Sequence, residues 1–589
     1  MRILYSAALL WLLSASSYAQ NLVAGFSPKM KETQGSSLLS NSIVGSNGDN
    51  IFVEALNYKS MINDRTYSKS IKINIVKKTD LSIVKSVEIY NKSNPGDKNY
   101  YVTRYNVTDN KIFVFYRTRK SREKDFRGIY VRTFDMTWNP TSEIRELYKI
   151  PIKKEFKKVD FIFSISSNDN HILAGAEFPA SQGGSPYVDY IIYDTKAFDK
   201  VGLGKFELPV KINSKKASTS NSKFFVTNKG NIMFRTTISV DKEERKNLQK
   251  GEDAYYTTMS YVDSKTSDIK TIPIKFQGKN VFYTQFFIEE SRFKLIGFYS
   301  DLDDDKSGDK ISGIFTAFVG QDKMELEGAE FKRFSKEDLL KLYNYNLNNK
   351  KEAKKADKIT DQNAALSSDL IIENIRTEEN GDVYLFCNHM NNYSQTVCTS
   401  TGRGGGTYCT TYYYCDKRDT YIFKIEASGK LGWVKWFDRD HTYNEWYVYD
   451  QQVFKSNNKF FVTYTTDNDY DSTLNNLKKS RRPKLSRNQR LEYIAIDIAT
   501  GNAERKYFHF NSPDSKKSSW KTLNPASMQN VGSELYGVQN SFYTPTGIKV
   551  MNTVFSVALP YIYYYLIRPG IKRSTYKSRT EYVKVLSNQ

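Results

Sequence analysis

Apolar residues recur along this chain in short runs, and each run is entered by a tight polar turn. GDN precedes IFVEALN at Ile51, DNK precedes IFVFYRT at Ile112, DNH precedes ILAGAEF at Ile172 and KGN precedes IMFRTTI at Ile232. The same punctuation returns before Leu295, Val383, Phe460 and Leu535. The first intervals are about 60 residues and the last three lengthen to about 75–88, a fixed period with insertions, which is the signature of a repeat array. Eight units are legible.

A hairpin follows each run, as in YVRTFDMTWNPTSEI, YIIYDTKAFDKVGLGKF and YIAIDIATGNAERKYF. Alternating apolar and polar residues with Asp, Gly or Asn at the turn predict paired, half-buried strands. The eighth copy, placed near residues 546–554, matches least well. One more strand precedes each run, for example YYVTRYNVT, VDFIFSISS and DLIIENIRT. Four short antiparallel strands per unit predict an all-β fold: a single β-propeller of eight blades, seven being the alternative count. The absence of a helical period excludes a helical solenoid, and the regular interval weighs against two β-sandwiches. Composition agrees, with 43 Tyr and 35 Phe against 14 Pro.

Insertions then locate a working surface. In a propeller, the link between a blade's second and third strands opens on the same face as the link to the next blade. The long segments at 117–128, 240–253, 301–311, 388–420 and 467–490 are all links of the first kind, and 332–368 is of the second. That last segment contains FSKEDLLKLYNYNLNNKKEAKKADK, the one helical pattern, with Ser335 as N-cap and Asp338 in the first turn. One face is therefore expected to be bare and the other elaborated, and long loops in compact domains usually carry function.

The N-terminus reads as a secretory signal peptide over residues 1–19: Arg2, an apolar run at 9–13 around Trp11, and Ser17-Tyr18-Ala19 before the cut. Gln20, not Cys, would begin the product, so no lipid anchor is expected. The run at 554–567 is too short for a span and contains Pro560; it reads as buried strand or clamp. The propeller then occupies 20–589, with a secreted or periplasmic location. The formal charge is +22, Arg2 included, which favours anionic partners, and outside the cytoplasm these are acidic glycans or proteins, not nucleic acid.

Four cysteines lie in or beside the 388–420 insertion without CxxC spacing, so disulfides are expected before zinc. Three pairings are open; Cys387 with Cys415 and Cys398 with Cys409 nest along a protruding hairpin and are preferred. The tip TSTGRGGGTY offers Arg403 and Tyr408 as contacts, beside the bland reading of a stapled loop without a ligand. Asp301, Asp303 and Asp305 alternate as at the opening of a calcium loop, but Gly at the sixth place and Glu at the twelfth are missing. Calcium is thus a possible ion and no cofactor is expected.

His389 and His441 map to the elaborated face, the latter in FDRDHTYNEW beside Trp446, where a histidine among carboxylates suits acid-base work or ligation. Basic runs at RTRKSREKDFR and KKSRRPKLSRNQR, the second holding Arg481, Arg482 and Lys484, present a cationic field or plain solvated loops.

The hairpins YIFKIEASGKLGW and IAIDIATGNAERKYF resemble the tryptophan-docking repeat of quinoprotein-type propellers, which sets Ala-x-Asp before Thr-Gly with a Trp soon after. Ala495, Asp497, Thr500 and Gly501 match in the second, and Gly429 and Trp433 in the first. The chain as a whole is similar to exported β-propeller proteins of Gram-negative bacteria without an established activity. The resemblance implies a propeller fold. It does not imply the dehydrogenase chemistry of that class, whose adjacent cysteines are missing, nor the role of its outer-membrane assembly lipoprotein, which needs Cys where Gln20 stands.

No Asp-box, GxSxG or HExxH occurs. The expected function is a non-enzymatic binding or scaffold propeller recognising an anionic glycan or protein partner through the long-loop face. The alternative is a cell-envelope hydrolase or lyase with a carboxylate and His site at the propeller mouth.

Overall fold

The computed structural model describes residues 22–26, 33–34, 41–59, 67–91, 100–118, 126–151, 159–212, 219–220, 222–240, 245–248, 252–288, 292–302, 310–321, 323–343, 353–354, 356–360, 365–367, 369–400, 407–443, 451–466, 470–471, 476–477, 490–508, 528–531, 534–543 and 577–587. Their strands assemble into eight four-stranded antiparallel sheets taken in chain order, the blades of an all-β propeller. A two-residue strand, Thr33–Gln34, is added to the eighth.

The turn-led apolar run is the second strand of every sheet, and its environment explains the run. His171–Phe178 and Ile112–Thr118 are buried along most of their length, and His171–Phe178 packs on neighbouring sheets on both of its faces. A strand buried on both faces reads as continuous apolar sequence, whereas the outer strand Lys200–Glu207 keeps the alternation of a one-sided surface. Each apolar cluster joins two successive sheets. Phe115 and Val131 meet Ile172 and Ala174; Leu173 and Val188 meet Ile232 and Phe234; Leu295 packs with Met233; and Phe298 lies edge-on to Phe423.

The chain divides into two compact units. Asn94–Tyr447 contains the second to sixth sheets; Met1–Ser93 with Val448–Gln589 contains the first, seventh and eighth. In the latter unit the eighth sheet is completed by the far end of the sequence. Gln529–Val531 pairs with Glu534–Tyr543, this with Lys577–Ser587, and Lys577–Ser587 with Leu22–Phe26, in register from Leu22 with Ser587 to Phe26 with Val583. This corrects the eighth hairpin: its third strand is Lys577–Ser587 and not residues 546–554, because the link after Tyr543 is long. Residues 546–554 and 554–567, like the signal-like residues 1–19, lie outside the described residues. Ile51, Val53 and Leu81 of the first sheet pack with Tyr536 of the eighth.

Two local devices recur. The hairpin between third and fourth strands is closed by one backbone pattern in five sheets, as where Phe198 N–H donates to Asp194 O (2.9 Å) and Asp194 N–H to Asp199 O (2.9 Å). The pattern puts one residue in the left-handed region: Leu81, Phe198, Ser267, Met324 and, as the single glycine, Gly501. Leu81 and Met324 occupy that costly conformation with their side chains buried in the cores between sheets. Asp497 is the first residue of this turn, accepting from Thr500 N (2.8 Å) and Thr500 Oγ1 (2.9 Å). The motif residues Asp497, Thr500 and Gly501 thus have a structural role in the turn.

The innermost strands of the first, second, fifth and sixth sheets each contain a β-bulge, in the sixth between Ile372 and Asn374. Helix α1, Lys336–Tyr343, starts where the sequence places it: Asp338 N–H donates to Ser335 Oγ (3.0 Å) and Ser335 N–H to Asp338 Oδ2 (2.9 Å), a reciprocal cap.

Candidate functional site

The 388–420 insertion is strand for most of its length. Val383–Ser400 and Thr407–Ile425 continue past their neighbours, paired from Val383 with Ile425 to Ser400 with Thr407. The inner strand begins at Leu370, opposite His389, and the described part of the outer strand Leu431–Tyr443 reaches Tyr443, opposite Cys415. Beyond that point, from the pair Tyr393 and Tyr414 to the pair Ser400 and Thr407, the described strands form a two-stranded arm roughly 25 Å long at a strand's rise per residue. Both of its faces meet water. Tyr412 and Tyr413, which point to opposite faces, are 49% and 47% exposed. Tyr393 stacks on Tyr414 at 5.1 Å, and Thr396 hydrogen-bonds Thr411 across the ladder (3.0 Å). Cys398 and Cys409 form a disulfide near the tip, joining residues directly opposite one another.

Cys387 and Cys415 do not form the second bridge expected of them; both are buried thiols. The register gives the reason, since Cys387 lies opposite Tyr421 and Cys415 opposite Asn392, several residues apart along the hairpin. Burial, and after it the nearby Glu373 carboxylate, hold the Cys387 thiol well above its usual range, so it stays protonated and unreactive.

At the root of the arm lies a buried polar cluster. Glu373 is the extra residue of the inner-strand bulge, and a bulge re-aims a side chain. Its carboxylate accepts from Lys417 Nζ and from Asn388 Nδ2, while Thr420 Oγ1 donates to Asn388 Oδ1 (2.7 Å). The ion-paired side chains of Lys417 and Glu373 are 0% and 1% exposed. A second bulge leaves Asp419 unpaired in the ladder with φ 44°, and its carboxylate lies 3.7 Å from His389 Nδ1. His389 also packs on Tyr421 (5.2 Å). Asp416 accepts from Thr442 Oγ1 (2.7 Å) and pairs with Arg418 (3.4 Å).

Among the residues singled out from sequence, His389, Cys398 and Cys409 share this hairpin. Tyr408 and His441 lie in its strands, opposite Thr399 and Lys417. Arg403, Trp446, Arg481, Arg482 and Lys484 lie outside the described residues, as do Asp303 and Asp305. Asp301 ends the second strand of the fifth sheet, where its carboxylate pairs with Lys279 (2.9 Å) and Arg333 (3.9 Å). Sequence reasoning missed Glu373, Asn388, Lys417 and Thr420. The available signal was an acidic residue inside the apolar strand LIIENIRT.

A carboxylate pair lies in the third sheet, where Asp160 on the inner strand faces Glu177. Thr219 Oγ1 donates to Asp160 Oδ2 (2.7 Å) and Ser220 N–H to Glu177, tying the approach to the fourth sheet onto the third. Burial raises the Glu177 carboxyl above its usual range; the Ser220 bonds oppose this and the Asp160 charge adds to it.

No protein-family model matches the chain, and no curated protein matches it in sequence. Among solved structures it is similar to the β-propeller domain of the Trilobed protease from Pyrococcus furiosus, at 10% identity over 83% of this chain and 99% of that one, with a TM-score of 0.32. It is also similar to prolyl oligopeptidase B from Galerina marginata, at 8% identity over 88% of this chain, TM-score 0.33, and to an acylaminoacyl peptidase from Pyrococcus horikoshii, at 9% identity over 74%, TM-score 0.29. This chain spans 55% and 60% of the length of those two peptidases.

Proposed function

We propose that this protein is an exported binding or scaffold propeller that takes a protein partner or an anionic glycan of the cell envelope on its long-loop face, with the stapled arm of the sixth sheet as the principal contact. The arm is the observation that carries the reading. A two-stranded hairpin is marginal by itself, and a disulfide across its tip lowers the entropy of its disordered state before any partner arrives. Tyrosines supply broad amphipathic contact at small entropic cost, and here they stand on both faces. Export is supported by the signal-like residues 1–19 and by a disulfide at an exposed site. The charge of +22 favours anionic partners.

Heparin, as an anionic polysaccharide probe, tests the electrostatic form of this reading. Binding is expected to weaken with salt, to fall on neutralising Arg481, Arg482 and Lys484, and to fall again in Tyr412→Ser/Tyr413→Ser. Salt-independent binding, or none, sinks the anionic-glycan form.

The second reading, a hydrolase or lyase with carboxylate and His groups at the mouth, draws on Asp160 and Glu177, which face each other in register, with burial raising the Glu177 carboxyl above its usual range. Turnover in a glycan-substrate screen that is abolished by Glu177→Gln or His441→Ala would establish it. Calcium at Asp301, Asp303 and Asp305 would act as a structural ion, and an unchanged melting temperature in added calcium removes it.

A further inference from the structure

Between the fourth and fifth sheets, within one compact unit, lies a polar cleft of about 190 Å³. Its walls come from the ends of strands: the entry to Tyr255–Val262, the end of Ile269–Ile274, and the start of Lys279–Ile288. Tyr255 is 61% exposed at its edge. Lys275 is paired with Glu252 (3.1 Å), and Lys279 with Asp301 (2.9 Å). Asn280 is buried and fixes the wall, its Oδ1 accepting the N–H of the exposed Asp253 (3.0 Å).

The charge balance here is unlike that of the whole chain. Among the described residues, each lysine that lines the cleft is paired with a carboxylate, and the exposed Asp253 also stands in its wall. Among the described residues the cleft therefore presents no excess of positive charge. What remains is a ring-sized recess of carboxylate, amide and ammonium groups with an aromatic face at its rim. The volume is below the roughly 300–1,000 Å³ of sites that enclose drug-sized ligands, and suits one ring-sized unit. Carboxylates accept from adjacent hydroxyls, ammonium groups donate to them, and a tyrosine ring covers the C–H face of a sugar.

We propose that this cleft binds one uncharged sugar unit of a glycan chain, with Tyr255 as the stacking platform and Glu252 and Asp253 receiving its hydroxyls. The inference rests on the glycan-binding reading and extends it to a second subsite, one that takes an uncharged unit.

The full chain without its signal segment is titrated with cellohexaose, maltohexaose and chitohexaose by calorimetry, with heparin in parallel. Saturable binding of at least one neutral hexaose, little changed by salt, is expected. Tyr255→Ala should weaken it about tenfold, the loss of one stacking contact, while Tyr255→Phe retains it. Asp253→Asn and Glu252→Gln should weaken it without moving heparin binding. Failure of all three hexaoses to bind overturns the proposal, as does binding indifferent to Tyr255→Ala and Asp253→Asn. Loss of heparin binding alone would count against the arm and basic loops and leave the neutral subsite standing. Tyr255 is exposed, so an unchanged melting temperature of Tyr255→Ala checks that folding is intact.

Discussion

Lys417 and Glu373 form an ion pair from which water is shut out, at the root of an arm whose tyrosines Tyr393, Tyr412 and Tyr413 are exposed. Desolvating two charges is costly, and the pair persists because Asn388 and the bulge at Glu373 complete its geometry. Removing one partner strands the other. Glu373→Gln or Lys417→Met should destabilise the fold by about 3–5 kcal/mol in chemical denaturation. Glu373→Leu combined with Lys417→Met should recover most of that loss. Additive losses in the double variant would show that the two side chains do not act as a pair.

The cysteines divide into one bridge and two thiols. A thiol reagent should find no reactive group in the native protein and two after unfolding, Cys387 and Cys415. Reduction of Cys398–Cys409 should open the arm to proteolysis within residues 392–413 and leave the melting temperature of the blades almost unchanged, because the bridge closes only the projecting segment. Rapid labelling of native Cys387 would contradict the burial.

Asp382 and Glu177 should respond to pH with opposite signs. Burial pushes the Asp382 carboxyl upward, but bonds from Lys424 (3.0 Å), Asn380 (3.0 Å) and the Ala427 N–H (3.0 Å) outweigh it and hold the group below its ordinary 3.8. Its stabilisation is therefore present above the unfolded value and lost as pH falls through the folded one. Asp382→Asn should cost about 2 kcal/mol at pH 7 and flatten the acid limb of the stability curve. The Glu177 carboxyl is raised above 4.5, so its protonated form suits the fold, and stability drops as pH rises between the unfolded and folded values. Glu177→Gln should remove that slope. An unchanged slope would show that Glu177 is ionised in the fold as easily as in the unfolded chain.

Leu81 and Gly501 hold equivalent turn positions with positive φ. Leu81→Gly relieves backbone strain of about 1 kcal/mol but empties a buried site whose loss costs about 2–5 kcal/mol, so a net destabilisation is expected. Gly501→Ala brings the strain without any new burial and should cost about 1 kcal/mol. Thermal melts of the two variants separate the effects.

The eighth sheet depends on Leu22–Phe26 at its outer edge. Removing residues up to Phe26 should lower the melting temperature and leave Lys577–Ser587 with an open edge prone to association, read by light scattering. A cysteine pair at Ala24 and Val585, which face each other in register, should raise it. A truncated chain as stable and monodisperse as the full one would rule out this closure.

Sequence by itself determined the eight second strands, the hairpins that follow the first seven of them and the capped helix at Ser335. Each of these is set locally: a strand covered on both faces must be apolar throughout, a turn must carry residues that tolerate it, and a cap must present an oxygen to free N–H groups. Cys398 with Cys409 was legible for the same reason, being close in sequence on one hairpin. Only tertiary structure decided what depends on partners distant along the chain. Leu22–Phe26 finds Lys577–Ser587 across nearly the whole sequence, and pairing at that separation leaves no periodic trace. The thiols of Cys387 and Cys415 stay apart because register, and not the order of cysteines, sets which residues face each other. Glu373 meets Lys417 because one extra residue in a bulge turns a side chain inward, and an alternating pattern read from sequence has no means to register a single inserted residue.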